Sequence, residues 1–298
     1  MDFQFLDDKR PWGKRKLDEL GEYFAGNASV PIEAPEMIFW HDQLARQTAD
    51  ACADFARMIF GREGQSPDIV SAYRVKSQST IGDKIRRSHM DQSAKVQLGR
   101  MWDFAGARIT VNVLHDDLRF LSFELQQILK SKGHRVIERD YIARPQPGGY
   151  RAIHLVIHSA AGIVELQIRT LLQSEWANTF EQLADKTGRR IRYEANYRPK
   201  DEQLAKIFDA LVLNAREINN IERQRAASIR DGLISMRQLA KIPLGVPLNP
   251  RLHLIRSEAF QALSHSETVT SEQASSILNL IQFLRALSQS LSAYEGEG

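Results

Sequence analysis

Two acidic side chains stand out because each adjoins an apolar segment that could form a strand. Asp103 lies just before one such segment, residues 107–114, and Glu165 lies inside another. Side chains of an extended strand alternate between its two faces, which places Glu165, Gln167 and Arg169 together on one face. Because the opposite face is apolar, this polar face is either solvated or forms one wall of a polar cleft.

Basic side chains are concentrated in the stretch that leads up to and past Asp103. Between residues 74 and 108 there are eight basic and three acidic residues, whereas the net charge of the whole chain is only +3. The side chains that could bind phosphate are Arg74, Lys76, Lys84 and Arg87. The last two share a helical spacing, and so a helix face, with Thr80. This local excess suits a polyanionic ligand, although a solvated helix face would have the same composition.

A loop rich in glycine and proline offers a third kind of contact. The segment 143–149, ARPQPGG, precedes Tyr150 and Arg151. Its two adjacent glycines allow the backbone to approach a ligand closely, and a loop tyrosine can stack on a base. The structural alternative is a simple turn into a hairpin, with Tyr150 as an ordinary strand residue.

The elements that would position these residues alternate between strand and helix. Strands are predicted at 107–114, 134–142, 150–159 and 163–170, of which the last two form a hairpin. Helices are predicted at 36–61, 80–87, 116–133 and 171–186. Further long helices are predicted at 201–239 and 256–292, on either side of a linker or turn at 241–250. This order predicts an α+β fold, with helices against a small mixed sheet.

Composition excludes several classes of protein. Apolar residues make up 43% and charged residues 26% of the 298 residues, which is ordinary for a globular protein in water. No apolar run approaches the roughly 18 residues of a membrane span, and the N-terminus lacks the apolar stretch of a signal peptide. The single cysteine, Cys52, excludes a disulfide within the chain and favours a small buried thiol. We therefore expect a cytoplasmic protein with no membrane partner.

Five blocks of sequence, in order, resemble the synthetase domain of the RelA/SpoT-like alarmone enzymes. They are Arg74–Ser77 followed by Lys84, then Asp103–Arg108, Asp140–Ile142 with Pro145, Gly149–His154, and Glu165–Thr170 followed by Trp176-Ala177. The resemblance covers roughly residues 73–186. Because all five blocks occur in the family's order, it is far more specific than any one of them.

The resemblance implies both a fold and a reaction. The fold would be α+β, a nucleotidyltransferase-like mixed β-sheet flanked by helices, with helical N- and C-terminal extensions. The domains would be a basic arm and helix at 1–70, the synthetase domain at 71–190 and a helical region at 191–298. The reaction would be transfer of the β,γ-diphosphate of ATP to a 3′-hydroxyl, catalysed by positioning and charge neutralisation.

The resemblance also implies roles for individual residues. Asp103 and Glu165 would hold Mg²⁺, which prefers carboxylate oxygens, and Glu165 would accept the proton of the attacking hydroxyl. The residues implied for ATP are Arg74 and Arg108 around the adenine, with Lys76, Thr80, Lys84 and Arg87 for the triphosphate side. The residues implied for the acceptor are Tyr150, stacked on its base, with Arg139, His154, Gln167 and Arg169.

Two acceptors are compatible with this resemblance. Small alarmone synthetases use GDP or GTP and make (p)ppGpp, whereas toxic members of the family modify the 3′ end of tRNA. The segment 11–16, PWGKRK, looks like the toxic branch, and Lys14, Arg15 and Lys16 would then form a flexible basic arm for RNA. A solvated tail would have the same composition. A non-catalytic nucleotide- or RNA-binding module is a third hypothesis, against which the two retained acids argue.

Departures from the family pattern lie mostly on the acceptor side. Ala152 replaces a serine, Ile137–Arg139 replaces an R-x-K block, and Glu181-Gln182 replaces a Glu-His pair. The pairs His41-Asp42 and His115-Asp116 are isolated, which favours surface or helix-cap positions and predicts no hydrolase activity. Two roles are compatible with the sequence of the C-terminal helices. They could form the surface of a homo-oligomer, or they could be a regulatory segment that binds an antitoxin.

Overall fold

The structure is a computed structural model that describes residues 2–61, 68–90, 95–194, 196–239 and 250–294. The chain divides into two compact units. The first comprises Met1–Val113, Asp117–Arg144 and Ala152–Thr170, and the second comprises Leu114–Asp116, Pro145–Arg151 and Leu171–Gly298.

The first unit contains one five-stranded mixed sheet. Its strands are β1 (Ile69–Val75), β2 (Ala105–Val111), β3 (Arg135–Asp140), β4 (Ile153–His158) and β5 (Ile163–Thr170), in the order β1-β2-β5-β4-β3. β2 and β5 are parallel, and every other neighbouring pair is antiparallel. The prediction of an α+β fold with a mixed sheet flanked by helices is confirmed, and the predicted hairpin is the β4–β5 pair.

The helices described in the first unit are α1 (Lys14–Phe24), α2 (Ala34–Phe60), α3 (Gln78–Met90) and α4 (His115–Ser131), of which α4 begins at the boundary with the second unit. α2 and α4 share a core with the apolar face of the sheet, whereas α1 and α3 pack together in a second core. Leu118, Leu121 and Leu125 of α4 recur at helical spacing and are fully buried in the same core as Leu166 and Ile168 of β5. Burying each such side chain contributes about 1.5–3 kcal/mol, which is why the alternating strands turn their apolar face inward.

The second unit is helical. It contains α5 (Leu171–Thr187), α6 (Glu202–Leu239) and α7 (Pro250–Ala293). Trp176 stacks on Phe180 at 4.8 Å between ring centroids and donates a hydrogen bond to the carbonyl of Leu211 at 2.7 Å, so α5 is held to α6. Each of the two C-terminal predictions corresponds to a single long helix. The predicted linker at 241–250 lies outside the described residues, except that Pro250 begins α7.

Two expectations about local structure are wrong. Lys14, Arg15 and Lys16 do not form a flexible arm, because they make up the first turn of α1. The apolar face of α1 is buried, and such tertiary packing stabilises a helix that would be marginal in isolation. The surface or helix-cap position expected for His41-Asp42 is the second, since His41 lies within α2 and is only 2% exposed. His115-Asp116 instead lies at the start of α4, which agrees with the helix-cap alternative.

None of the helices within the described ranges combines the length and the hydropathy that crossing a bilayer would require. Cys52 is buried in the core of the first unit, as predicted, and burial raises the pKa of its thiol to about 12. The thiol is therefore protonated and packs as a small apolar side chain.

Candidate active site

A row of polar residues crosses one face of the sheet. Arg108 on β2 is paired with Gln167 on β5, Gln167 with His154 on β4, and His154 with Arg139 on β3. Residues paired across neighbouring strands project to the same face. Strand alternation on β5 adds Glu165 to this face, two residues before Gln167. Sheet register therefore brings together five of the residues that the sequence predicted for the site.

Asp103 lies in the turn before β2, where two lysines reach it. Lys76 follows the last pair of the β1–β2 ladder, and its Nζ forms an ion pair and hydrogen bond with Asp103 Oδ2. Lys84 on α3 places its Nζ 3.5 Å from Asp103 Oδ1. Asp103 is therefore surrounded by positive charge, with its side chain 30% exposed.

Glu165 is held by its neighbours on β4 and β5. Its Oε1 is 3.2 Å from Nδ1 of His154, and its Oε2 accepts a hydrogen bond of 3.1 Å from Nε2 of Gln167. Gln167 in turn accepts a hydrogen bond of 2.6 Å from Arg169, which is buried. The side chain of Glu165 is 16% exposed, so its carboxylate is oriented by the sheet rather than by solvent.

The pKa of each acid is lowered although each is partly buried. For Asp103, burial alone would raise the pKa, but the charges of Lys76 and Lys84 and the hydrogen bond from Lys76 outweigh it. For Glu165, burial is again opposed, here by hydrogen bonds from His154 and Gln167 and by the charge of His154, while the charge of Asp103 acts to raise the pKa. Both carboxylates are therefore ionised at neutral pH and repel each other.

The carboxylates of Asp103 and Glu165 could hold a small divalent cation only if other groups, such as water or substrate phosphates, completed its coordination. No group of three or more His, Cys, Asp or Glu side chains is placed to hold a metal within the part of the chain that the structure describes. Mg²⁺ commonly takes one or two carboxylates and completes its shell with water and substrate phosphates. Two ionised, mutually repelling carboxylates, one in the turn before β2 and one on β5, fit that requirement.

The other residues predicted for ATP lie on α3, β1 and β2. Thr80 accepts a hydrogen bond of 2.8 Å from Ser77 at the start of α3. Arg87, on the same helix, donates to the carbonyl of Asp83 at 3.2 Å and is exposed. Arg74 is exposed on β1, paired with Gly106, which is itself paired with Glu165. Arg74 on β1 and Glu165 on β5 therefore lie at the same level of the sheet, with Gly106 of β2 between them.

Two aromatic residues at the acceptor side escaped the sequence analysis as site residues. The guanidinium carbon of Arg139 lies 4.5 Å from the ring centroid of Trp102, and Arg139 donates to the hydroxyl of Tyr141 at 3.4 Å. The Tyr141 ring meets the His154 ring edge-on, with centroids 4.9 Å apart. The available signals were the place of Tyr141 in the Asp140–Ile142 block and that of Trp102 beside Asp103, because sequence does not reveal which side chains stack.

Tyr150 belongs to the second unit, unlike the other predicted site residues of the sheet. It packs against the apolar core of the helices, and the loop before it contains Gly148 and Gly149 at positive φ values of 82° and 103°. Arg151 donates hydrogen bonds to the carbonyls of Gly149, at 3.2 Å, and of Ala215 on α6, at 3.3 Å. Helix α6 therefore anchors this loop, and β4 begins only at Ile153.

Gly149→Ala is expected to destabilise the protein strongly. A left-handed backbone costs a non-glycine residue about 1–2 kcal/mol. A Cβ at this position would also lie 2.4 Å from Cβ of Ala215, and overpacking of this kind costs about 1–3 kcal/mol more. Gly133→Ala is the matched control, because Gly133 follows α4 with a φ of 87° and nothing lies within 4 Å of an added Cβ. Urea unfolding of both variants measures the difference, and equal losses would contradict the predicted overlap.

Comparison with known proteins places this sheet in a family. Residues 73–195 match the model described as "Region found in RelA / SpoT proteins". An uncharacterized protein of Mycobacterium tuberculosis is 34% identical over 203 residues, which is 67% of this chain and 67% of that protein. The chain belongs to the RelA/SpoT family. The sequence resemblance is thereby confirmed.

Other relatives of this RelA/SpoT protein have names or known structures. GTP pyrophosphokinase YwaC of Bacillus subtilis is 30% identical over 125 residues, which is 39% of this chain and 57% of that enzyme. A GTP pyrophosphokinase family protein of Streptococcus pneumoniae superposes with a TM-score of 0.52 at 22% identity, covering 67% of this chain and 96% of that one. The latter similarity supports the fold alone.

The RelA/SpoT match includes every residue predicted for ATP, metal and acceptor, because all lie between residues 74 and 169. It excludes α1 with Lys14, Arg15 and Lys16, and it excludes α6 and α7. The basic first turn and the long helices are therefore features of this chain that the family model does not describe.

Proposed function

We propose that this chain is an ATP-dependent pyrophosphokinase that transfers the β,γ-diphosphate of ATP to the 3′-hydroxyl of GDP or GTP. The observation that carries the proposal is a pair of ionised acids, Asp103 in the turn before β2 and Glu165 on β5. Asp103 is flanked by Lys76 and Lys84, and Glu165 is held by His154 and Gln167. The proposal is further supported by relatives that are named GTP pyrophosphokinase.

Lys84 on α3 and Lys76, which lies just before α3, would bind the triphosphate of ATP. Lys76 and Lys84 already lie beside Asp103, so phosphates that enter there meet two ammonium groups and can displace part of their contact with the carboxylate. Thr80 and Arg87 share α3 with Lys84 and would extend this contact. Arg74 and Arg108, on neighbouring strands, would hold the adenine between planar guanidinium groups.

Asp103 and Glu165 would hold Mg²⁺ together with phosphate oxygens and water. When bound, the ion neutralises charge on the phosphates and so favours attack at phosphorus. The carboxylates contribute by staying ionised, since both have lowered pKa values. His154 and Gln167 contribute by fixing the orientation of Glu165.

The transfer itself exchanges one phosphorus–oxygen bond for another. The acceptor 3′-oxygen bonds to the β-phosphorus of ATP while the bond from that phosphorus to the α,β-bridging oxygen breaks, and AMP leaves. The hydroxyl proton passes to the carboxylate of Glu165. Because the pKa of Glu165 is lowered, this carboxylate is available at neutral pH but is a weak base. Orientation and metal binding are therefore its better supported roles.

A nucleotide acceptor is favoured over tRNA by the setting of the basic residues in α1. Each of the three predicted RNA contacts has an acidic partner. The ion pairs are Lys14–Asp18 at 3.7 Å, Arg15–Glu19 at 3.3 Å and Lys16–Glu33 at 3.4 Å. Affinity for RNA backbone comes mainly from cations that release counterions, and locally paired cations release fewer. Pyrophosphorylation of the tRNA 3′ end is the alternative.

The decisive experiment identifies the labelled acceptor. The protein is incubated with γ-labelled ATP and Mg²⁺ together with GDP, GTP, ATP or bulk tRNA, and the products are separated. We expect the label on GDP or GTP at the 3′ position, with AMP released in equal amount. Label on tRNA alone would favour the toxin-type function, and binding of ATP without transfer to any acceptor would favour a non-catalytic module.

Removing the basic first turn of α1 tests the acceptor further. We expect the triple variant with Lys14, Arg15 and Lys16 changed to glutamine to keep nucleotide labelling within about twofold, because exposed ion pairs of this kind contribute about 0.3–0.5 kcal/mol each. Lys206→Gln on α6, which breaks an exposed pair with Glu202, is the matched control. A large loss of nucleotide labelling in the triple variant alone would mean that α1 supports the catalytic centre.

A further inference from the structure

Five side chains form a continuous line of contacts that begins at Trp102, the neighbour of Asp103, and ends at Glu165. Trp102 contacts the guanidinium of Arg139 at 4.5 Å, and Arg139 donates to Tyr141 at 3.4 Å. Tyr141 contacts His154 at 4.9 Å between ring centroids, and His154 contacts Glu165 at 3.2 Å. All of these residues lie in the first unit. The line therefore links the backbone beside one acid to the carboxylate of the other.

The guanidinium of Arg139 has no acidic partner among the residues that the structure describes. The two acids nearest to it on β3 are engaged elsewhere. Glu138 accepts hydrogen bonds from Ser122 and Gln126, at 2.5 and 2.6 Å. Asp140 accepts one from Arg119 at 3.1 Å and two from backbone N–H groups that follow it. An exposed arginine held in place without a carboxylate is suited to an anion from outside the chain.

The tryptophan restricts the directions from which that anion can bind. A guanidinium that lies against an indole ring has one face covered, while its N–H groups point outward in the plane and can still donate. Two parallel N–H donors match two oxygens of a phosphate group.

We propose that Trp102 is a positioning residue that holds Arg139 to bind a phosphate group of the acceptor nucleotide. The inference rests on the proposed function for the identity of the acceptor. Through Tyr141 and His154, the bound phosphate is placed in register with Glu165, which orients the acceptor hydroxyl. Trp102 does not touch substrate in this scheme. It sets the direction of the guanidinium that does.

Kinetics with matched variants test the role of the stack. Trp102→Leu removes the aromatic face, Trp102→Phe keeps a smaller one, and Arg139→Lys keeps the charge without the planar fork. For Trp102→Leu and Arg139→Lys we expect the KM for GDP to rise at least about tenfold, with the KM for ATP within about twofold. Trp102→Phe should lose less. Equal rises for ATP and GDP, or an unchanged KM for GDP, would overturn the proposal.

A binding measurement separates this proposal from the proposed activity. The chain has four tryptophans, so the emission of Trp102 is obtained by subtracting the spectrum of Trp102→Phe. Without ATP, GDP should change this emission and guanosine, which has no phosphate, should not. Arg139→Lys should abolish the change, and circular dichroism shows whether it is folded. A GDP response without diphosphate transfer would support the site and refute the activity, whereas transfer to GDP with no Trp102 response would refute the site alone.

Discussion

Asp103→Asn should lower kcat for diphosphate transfer by about a thousandfold, while the KM for ATP changes by less than about threefold. The amide keeps the shape of the side chain but removes the charge that would hold Mg²⁺, and loss of several kcal/mol of charge stabilisation corresponds to about three powers of ten. Binding of ATP is spared because Lys76 and Lys84, which pair with Asp103, are then free for the triphosphate. Initial rates at saturating Mg²⁺ measure the effect.

The control for this substitution is Asp83→Asn on α3. Asp83 pairs with Arg86 at the surface, so the variant removes an acid from the helix that carries Lys84 without changing the ion pairs of Asp103. We expect kcat for this control to stay within about twofold of wild type, because exposed ion pairs contribute little. A similar loss of kcat in both variants, or wild-type activity in Asp103→Asn, would remove Asp103 from the metal site.

Glu165→Gln should lower kcat by about 10²–10⁴-fold, because an uncharged amide would neither hold Mg²⁺ nor accept the hydroxyl proton. Gln has the same size and can still contact His154 and Gln167, so the sheet should remain intact. Glu138→Gln is the matched control, since Glu138 lies on β3 and binds Ser122 and Gln126 away from the site. Single-turnover rates with GDP as acceptor separate the transfer step from product release. A kcat within tenfold of wild type would contradict both proposed roles of Glu165.

The same variant tests the lowered pKa of Glu165. Burial works to raise this pKa, but the contacts with His154 and Gln167 lower it overall. A carboxyl whose folded pKa lies below its unfolded value, about 4.3 for glutamate, stabilises the fold above that value. This stabilisation is lost as pH falls through the folded pKa. In the absence of metal, wild type should therefore lose unfolding free energy more steeply than Glu165→Gln below about pH 4.5.

Urea unfolding followed by circular dichroism over the acidic range measures this difference. If the unfolding free energy of wild type instead fell relative to that of Glu165→Gln as pH rose towards neutrality, the folded pKa of Glu165 would be raised. That outcome would favour a proton-accepting role at neutral pH over the metal-binding role preferred here. The charge of Asp103 acts to raise the pKa of Glu165, but the contacts with His154 and Gln167 lower this pKa by more.

Local periodicity was enough to predict most elements of the sheet. The alternation in β5 places Glu165 and Gln167 opposite Leu166 and Ile168, and that pattern depends only on the two-residue repeat of a strand. Helical spacing likewise predicted α3, with Thr80, Lys84 and Arg87 on it. Such repeats are properties of neighbouring residues, and burial of the apolar face is strong enough to enforce them. The family resemblance added the candidate roles of the polar residues.

Tertiary structure decided which of these side chains meet. Sheet register aligned Arg139 with His154 and Gln167, and the turn before β2 brought Trp102 onto Arg139. The basic first turn of α1 became part of a helix because its apolar face found a core, which charge composition cannot indicate. Tyr150 became part of the helical unit. These outcomes depend on contacts between residues far apart in the chain, and local sequence contains no information about that pairing.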